Sequence, residues 1–328
     1  NLKKLYQIML NAREKRGALE FDSTETTIVF NEKGKIDFIK PNIRNEAHRI
    51  IEECMLAANV CAANFLIDKK IDGLFRNHEC PSEEKLENLR GFLSEFELSL
   101  QGGNKPTPKD YKHLVKKISN RPESHLLQTV LLRSMQQAVY SEKNLGHFGL
   151  AFDAYTHFTS PIRRYPDLII HRAIKSKLDK KNFKLKDISK VAEHCSNTER
   201  RADEATRDVE AWLKCYFMQD KVGQIYEGTV AGVTGFGLFI ELDEVYIEGL
   251  LHVTELGNDY FTYDKSKHAM IGERTKLSYR LGDRLKVKVV RVDLESIKID
   301  LSLENVNAIP RQKKMLKKKF NSKRSKKK

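Results

Sequence analysis

Two prolines, Pro161 and Pro166, bracket an adjacent arginine pair, Arg163 and Arg164, in the stretch YTHFTSPIRRYPDLIIHR from Tyr155 to Arg172. No continuous helix can run through it. Ser160 before Pro161 is suited to start a helical turn. Pro166 cannot continue that turn as an interior residue. The chain must break and restart here, which holds Arg163 and Arg164 near a helix beginning. Helix starts and guanidinium forks both attract phosphate. The plainer alternative is a helix-turn-helix with a solvated arginine pair. Thr156, His157, Thr159, Ser160 and Tyr165 crowd polar groups around the pair and favour a binding role.

Composition narrows the class. A length of 328 residues suits about two domains, and 40% apolar residues can fill real cores. No apolar run is expected to reach the ~20 residues needed to span a bilayer. No signal peptide is visible at the start. Cys54, Cys61, Cys80, Cys195 and Cys215 are scattered, without a C-x-x-C pair. They read as buried thiols in a reducing cytoplasm rather than as disulfides or zinc ligands. The net charge of +14 is concentrated at one end: Arg311 to Lys328 carries 11 Lys or Arg and no acid. The preceding 310 residues hold 48 basic and 45 acidic groups. Such a tail cannot bury a core and is expected to be disordered. It is either a solubilising tail or a salt-sensitive tether for nucleic-acid phosphates.

Three regions follow: a mixed, mostly helical α+β part over 1–218, an all-β part over 219–304, and the basic tail over 305–328. In the first, Gly17 ends an opening helix, and Ala18 to Ile39 reads as strands turning at Asn31 to Gly34. A long helix follows the cap Asn45. Its apolar stripe of Ala47, Ile50, Ile51, Cys54, Met55, Ala58, Cys61, Ala62, Phe65 and Leu66 should be buried, and Glu46, Arg49, Glu52, Glu53, Asn59 and Asn64 should face water. Thr107-Pro108 opens another helix and Pro122 a third. The helix after Lys186 carries a dense charge run, Glu199 to Asp208, of the kind that forms a solvated face. It ends in Trp212, Leu213, Tyr216 and Phe217, expected to be core.

Val222 to Leu303 holds five strand-like segments with Gly235 and Gly237 at a bend. Short alternating strands with glycine corners predict a five-stranded OB-fold barrel. Alternation turns Phe239 away from Leu238 and Ile240, hence outward. Tyr260, Phe261 and Tyr263 sit in a loop, either as stacking rings or as its anchor.

Together with RNEAHRIIEECMLAANVCAANFL (Arg44 to Leu66), GGNKPTPKDY (Gly102 to Tyr111) and ERRADEATRDVEAWLKCYFM (Glu199 to Met218), the arginine-bearing stretch resembles the ribonuclease II and ribonuclease R family. The last segment is especially close to ribonuclease R. The resemblance covers nearly the whole chain. It implies a processive, magnesium-dependent hydrolase that degrades single-stranded RNA from its 3′ end to nucleoside 5′-monophosphates. The chain opens on Asn1 and lacks the family's closely spaced aspartates. The expectation is therefore the C-terminal part of a longer enzyme, whose magnesium ligands lie outside this chain. Alone, it should bind RNA without cutting it. The competing readings are a non-catalytic RNA-binding protein and a helical scaffold fused to an OB module.

The resemblance also assigns roles. Arg163, or Arg164 in its place, would contact the phosphate under attack, with Glu204 (then Glu199) facing the reacting centre. Tyr155, His157 and Ser160 would hold the arginine or touch RNA. Phe21 is a candidate base-stacking wedge, with strand core as the alternative. Glu53, or Glu52, would accept from a ribose 2′-hydroxyl. The barrel's G-F-G-L-F and E-G-L-L-H-V segments resemble the RNA-binding module named after ribosomal protein S-one. Phe236, Phe239 and His252 match its base-contacting face, and Asp293 and Lys298 its nearby polar positions. No metal ligand is assigned within the chain, and no membrane or small-molecule cofactor is expected. A monomer that binds single-stranded RNA completes the reading.

Overall fold

The computed structural model describes residues 1–21, 25–121, 124–264 and 267–304. The basic tail and Pro122 lie outside them. The helical part comprises seven helices among the described residues: α1 (Leu2–Arg16), α2 (Glu46–Asp68), α3 (Glu83–Ser94), α4 (Pro108–Ile118), α5 (Ser124–Ser134), α6 (Tyr165–Leu178) and α7 (Ile188–Met218). Between them lie two hairpin-like pairs, β1 (Thr26–Phe30) with β2 (Ile36–Pro41), and β3 (Phe75–Asn77) with β4 (Val139–Ser141).

The caps explain the helix ends. Gly17 stops α1 in the left-handed region at φ 92°, its N–H donating to the Arg13 carbonyl. Asn45 opens α2 by accepting from the His48 amide, while His48 Nδ1 accepts from the Asn45 amide. Thr107 and Asp110 do the same for α4, with Pro108 in its first turn.

The buried face of α2 differs from expectation. It is formed by Glu53, Leu56, Asn59, Ala62, Ala63 and Leu66, whereas Ile51 is 58% exposed. Polar partners set the helix's rotation: Arg13 reaches Glu53, and Asn59 meets Tyr155. By length and apolar composition alone, α2 also passes for a membrane span, contrary to the expectation from composition. Its buried, hydrogen-bonded Glu53 and Asn59 are the features of a helix packed inside a protein.

Three clusters fill the core. Ala62, Ala63 and Leu66 of α2 pack on Ile170 and Ala173 of α6. Leu74, Tyr140 and Ile169 pack on Ala192 and Cys195 of α7. The largest joins Leu86, Leu89, Leu93, Tyr111, Leu114 and Leu127 to the interior of the barrel. Of the five free cysteines, Cys61 and Cys80 are exposed and Cys54 is partly so, which corrects the expectation that all are buried. The end of α7 is corrected too. Cys215 and Met218 are its buried residues, while Trp212 and Tyr216 are 41% and 40% exposed and stack at 5.6 Å.

The barrel closes through β5 (Ile225–Thr234), β6 (Gly237–Leu242), β7 (Ile247–His252), β11 (Arg284–Asp293) and β12 (Lys298–Leu303), in the order β11-β12-β7-β6-β5. This is the five-stranded OB-type barrel read from the sequence. Between β7 and β11 the sequence reading missed a small sheet, β10-β9-β8, made of β8 (Phe261–Asp264), β9 (Ala269–Gly272) and β10 (Ser278–Arg280). Phe261 anchors it, buried against Tyr279 at 5.7 Å, while Tyr260 stays in solvent.

Only one of the two bend glycines is required by geometry. A methyl group at Gly237 (φ 155°) would collide with the Leu251 carbonyl, while one at Gly235 meets open space. We expect Gly237→Ala to cost roughly 2 kcal/mol or more and Gly235→Ala less than about 0.5 kcal/mol. Equal losses in a chemical denaturation series on both variants would contradict this.

Candidate nucleic-acid interface and phosphate site

The Ser160-Pro161 turn and the restart of α6 form as the two prolines require. The Ser160 carbonyl accepts from the amides of Arg163 (3.3 Å) and Arg164 (2.9 Å), and Arg164 becomes the cap of α6. One carboxylate holds the turn. Asp167, fully buried in the first turn of α6, accepts from the Ser160 amide at 2.7 Å and from Arg164 Nη2 at 2.9 Å. A carboxylate there also lies at the favourable end of the helix dipole.

This arrangement separates the two arginines. Arg164 turns inward to line a cavity of about 480 Å³ with Asn59, Tyr155 and Thr159, walled on its other side by Ile51, Met55 and Leu56 of α2. Arg163 lies on the exposed side of the turn, next to Ile162, which is 99% exposed. Arg164 Nε, Asp167 Oδ2 and Thr159 Oγ1 are buried polar atoms without a protein partner. Such groups are costly to leave unmet, and two of the three residues, Arg164 and Thr159, line this cavity.

Around the turn the loop is fixed from both sides. Asn59 donates to the Tyr155 hydroxyl at 2.9 Å and accepts from the Phe158 amide at 2.9 Å. Phe158 stacks on His171 at 4.1 Å, and His171 Nε2 bonds the Phe158 carbonyl. Tyr155 is buried and stacks on Phe152, which also carries the Arg16 guanidinium at 3.9 Å. Burial pushes its phenol up. His157 Nδ1 lies 2.7 Å from the Tyr140 hydroxyl. Burial, reinforced by Arg164 and Arg76, holds His157 down at about 2.

The other assigned residues fall as follows. Glu53 is buried and accepts from Arg13 at 2.7 Å, so one of its oxygens is already engaged; Glu52 lies 3.3 Å from the same guanidinium. Phe21 is half-buried and packs against the main core but lies outside any strand, since the first strand begins only at Thr26 and not at Ala18 as expected. Glu199 accepts from Arg76 at 2.6 Å. Glu204 sits in the stretch 200–210 of α7, which is exposed all round. On the barrel, Phe236 is 50% exposed and meets Phe239 edge-to-face at 5.8 Å, and Gly232 leaves room for the Phe239 ring. Gly237 pairs with His252, bringing the exposed imidazole beside the two rings. Asp293 and Lys298 form a separate pair at the β11–β12 turn, where Asp293 accepts from the Glu295 and Ser296 amides.

Sequence reading missed Asn59, Asp167, Arg76 and Tyr140. An acid three residues after Arg164, in a helix's first turn, was a usable signal for Asp167. Arg76 and Tyr140 sit on three-residue strands that carry no periodicity. Among the described residues, no group of three or more His, Cys, Asp or Glu is gathered to hold an ion. The donor set of these residues therefore does not by itself fit magnesium.

A helical part carrying this proline-bounded turn, followed by a five-stranded OB-type barrel, is the layout of an RNB-type domain joined to an S1-type module. The RNB domain matches residues 1–180, and the S1 RNA binding domain matches residues 219–304. The chain belongs to the RNB family. It is 47% identical over 323 residues to ribonuclease R of Escherichia coli (strain K12), covering 94% of this chain and 40% of that protein. The apo form of Mycoplasma genitalium RNase R superposes with a TM-score of 0.85 at 30% identity, covering 91% of this chain and 48% of the other. The same protein in complex with ribose methylated single-stranded RNA gives a TM-score of 0.85 at 29% identity, with the same coverage. The chain thus spans about 40% of the length of the curated relatives it matches.

Acid should loosen the site. His147 is held down at about 3, chiefly by burial, and His157 at about 2. Both are neutral in the folded chain but take up a proton near 6.5 when unfolded. Between these values the unfolded state binds more protons, so stability is full above pH 6.5 and falls as pH drops. Each histidine is expected to cost about 2 kcal/mol by pH 5. Urea midpoints unchanged between pH 7 and pH 5 would contradict it.

Proposed function

We propose that this chain is the RNA-holding part of a processive 3′–5′ exoribonuclease of the ribonuclease R type. It acts on single-stranded RNA and releases nucleoside 5′-monophosphates. The observation that carries the reading is a cavity lined by Arg164 and Thr159, whose Nε and Oγ1 have no protein partner, within a turn that presents Arg163 to its exposed side. Arginine so placed stabilises negative charge that develops on a phosphate under attack. Tyr155 and Ser160 hold the turn, His157 faces the same cations, and Glu204 approaches the reacting centre from α7. The second oxygen of Glu53 is left for a ribose hydroxyl, and Phe21 borders the 3′ end.

Magnesium supplies the activated water in this chemistry. In this reading its ligands lie outside this chain. Exposed Phe236 and His252, with partly buried Phe239 beside them, give bases a surface to stack on, with Asp293 and Lys298 as nearby polar contacts and the basic tail as a tether. We place the protein in the cytoplasm as a monomer. Free thiols at exposed Cys61 and Cys80 accord with a reducing compartment. The RNA-bound relative supports single-stranded RNA as the ligand.

The isolated 328-residue chain is expected to bind oligo(A) and to release no mononucleotide with magnesium. Efficient release would overturn the division of labour. In a full-length enzyme containing this chain, Arg163→Lys should lower kcat far more than RNA affinity; equal losses would leave the arginine a binding role only. Replacing Phe236 or Phe239 by Ala should weaken oligo(A) binding by about 1–3 kcal/mol each. Fluorescence anisotropy reads this directly, and an unchanged affinity would remove the barrel face from the RNA path.

A further inference from the structure

Tyr140 lies outside every role assigned so far, yet the protein clamps it on three sides. Its backbone amide donates to Ser196 Oγ of α7 at 3.0 Å. Its ring carries the Arg76 guanidinium at 4.6 Å, and Glu199 of α7 fixes that guanidinium at 2.6 Å. Its hydroxyl reaches His157 Nδ1 at 2.7 Å, its one hydrogen-bond partner among the described residues.

That last contact has a direction. A neutral imidazole donates from one nitrogen and accepts at the other. If Nδ1 carried the proton, the phenol would have to accept, and its own proton would be buried without a partner. Buried donors are rarely left so. The phenol therefore donates to Nδ1, and the ring proton sits on Nε2. Among the described residues, no protein group accepts from Nε2.

The surroundings select the missing acceptor. Tyr140 from β4 touches the ring, and the positive charges of Arg164, Arg76 and Arg163 bear on it. Tyr155 meets it edge-on at 5.8 Å. Glu199, the nearby acid on α7, is engaged by Arg76. A neutral N–H donor among arginines is suited to an anionic oxygen, and it adds no further charge that would need neutralising.

Resting on the RNA reading above, we propose that Tyr140 is a positioning residue: it fixes the tautomer in which His157 Nε2–H donates to a backbone phosphate oxygen of bound RNA. His157 then acts as a neutral donor and not as an acid or base. Glu199, through Arg76 and Tyr140, serves the site by bracing that donor.

Long-range proton–nitrogen NMR on the histidine-labelled 328-residue chain tests this. We expect His157 to be neutral and protonated at Nε2 at both pH 7 and pH 5. Oligo(A) should shift its Nε2–H proton downfield. Tyr140→Phe should give a mixture of tautomers and about tenfold weaker oligo(A) binding. An Nδ1–H tautomer in the unsubstituted chain would overturn the proposal without reference to any variant. Binding of oligo(A) with His157 unmoved would overturn it and leave the RNA reading standing. Failure to bind oligo(A) at all would overturn both. A shift with saturating oligo(A) but none with saturating oligo(dA) would place a ribose hydroxyl at Nε2 and overturn the phosphate assignment.

Discussion

The buried carboxylate of Asp167 is the contact on which the site depends. It takes the Ser160 amide and the Arg164 guanidinium together, and so joins the turn to the first turn of α6. The next turns of that helix carry Ile169, Ile170 and Ala173, which enter the cores shared with α2 and α7. The arginine pair is therefore tied, through one residue, to a helix that is buried in both smaller cores. A charge pair this deep stabilises little against an apolar replacement, but losing one partner costs about 3–5 kcal/mol. That asymmetry suits a device that fixes geometry. The two prolines supply the other half of the constraint, because they leave the backbone few alternatives to the break.

The barrel is joined to the helical part through a continuous core rather than by a bare linker. Phe92 of α3 meets His268 at 5.1 Å, Arg133 donates to the Ala231 carbonyl at 3.3 Å, and Gly282 approaches Leu126. Exposed Phe236 and partly buried Phe239 are thus held at a fixed position relative to the arginine-bearing turn. A strand of RNA leaving the turn would meet a stacking surface whose placement is set by packing, which lowers the ordering cost of binding.

Much of this was legible in the residues, and the failures share a cause. Asn45, Gly17 and Thr107-Pro108 mark helix ends because capping is local chemistry. The proline-bounded turn and the five barrel strands were readable for the same reason. What periodicity could not see was tertiary choice. The apolar stripe of α2 was read as its buried face, yet Arg13 and Tyr155 turn Glu53 and Asn59 inward and leave Ile51 out. Trp212 and Tyr216 looked like core because they are large and apolar, yet no described element covers them. Arg76 and Tyr140 stand on strands too short to show a pattern, and only the fold brings them to His157. The small sheet carrying Phe261 was missed because its strands run three or four residues each.

In the function proposed above, the Asp167-held turn presents guanidinium groups to an RNA phosphate. A structure of this chain bound to oligo(A) tests it most directly. The account predicts a backbone phosphate within hydrogen-bonding distance of Arg163 or Arg164, with the Asp167 contacts to Ser160 and Arg164 intact. RNA confined to the barrel, with the turn and its cavity empty of phosphate, would contradict it.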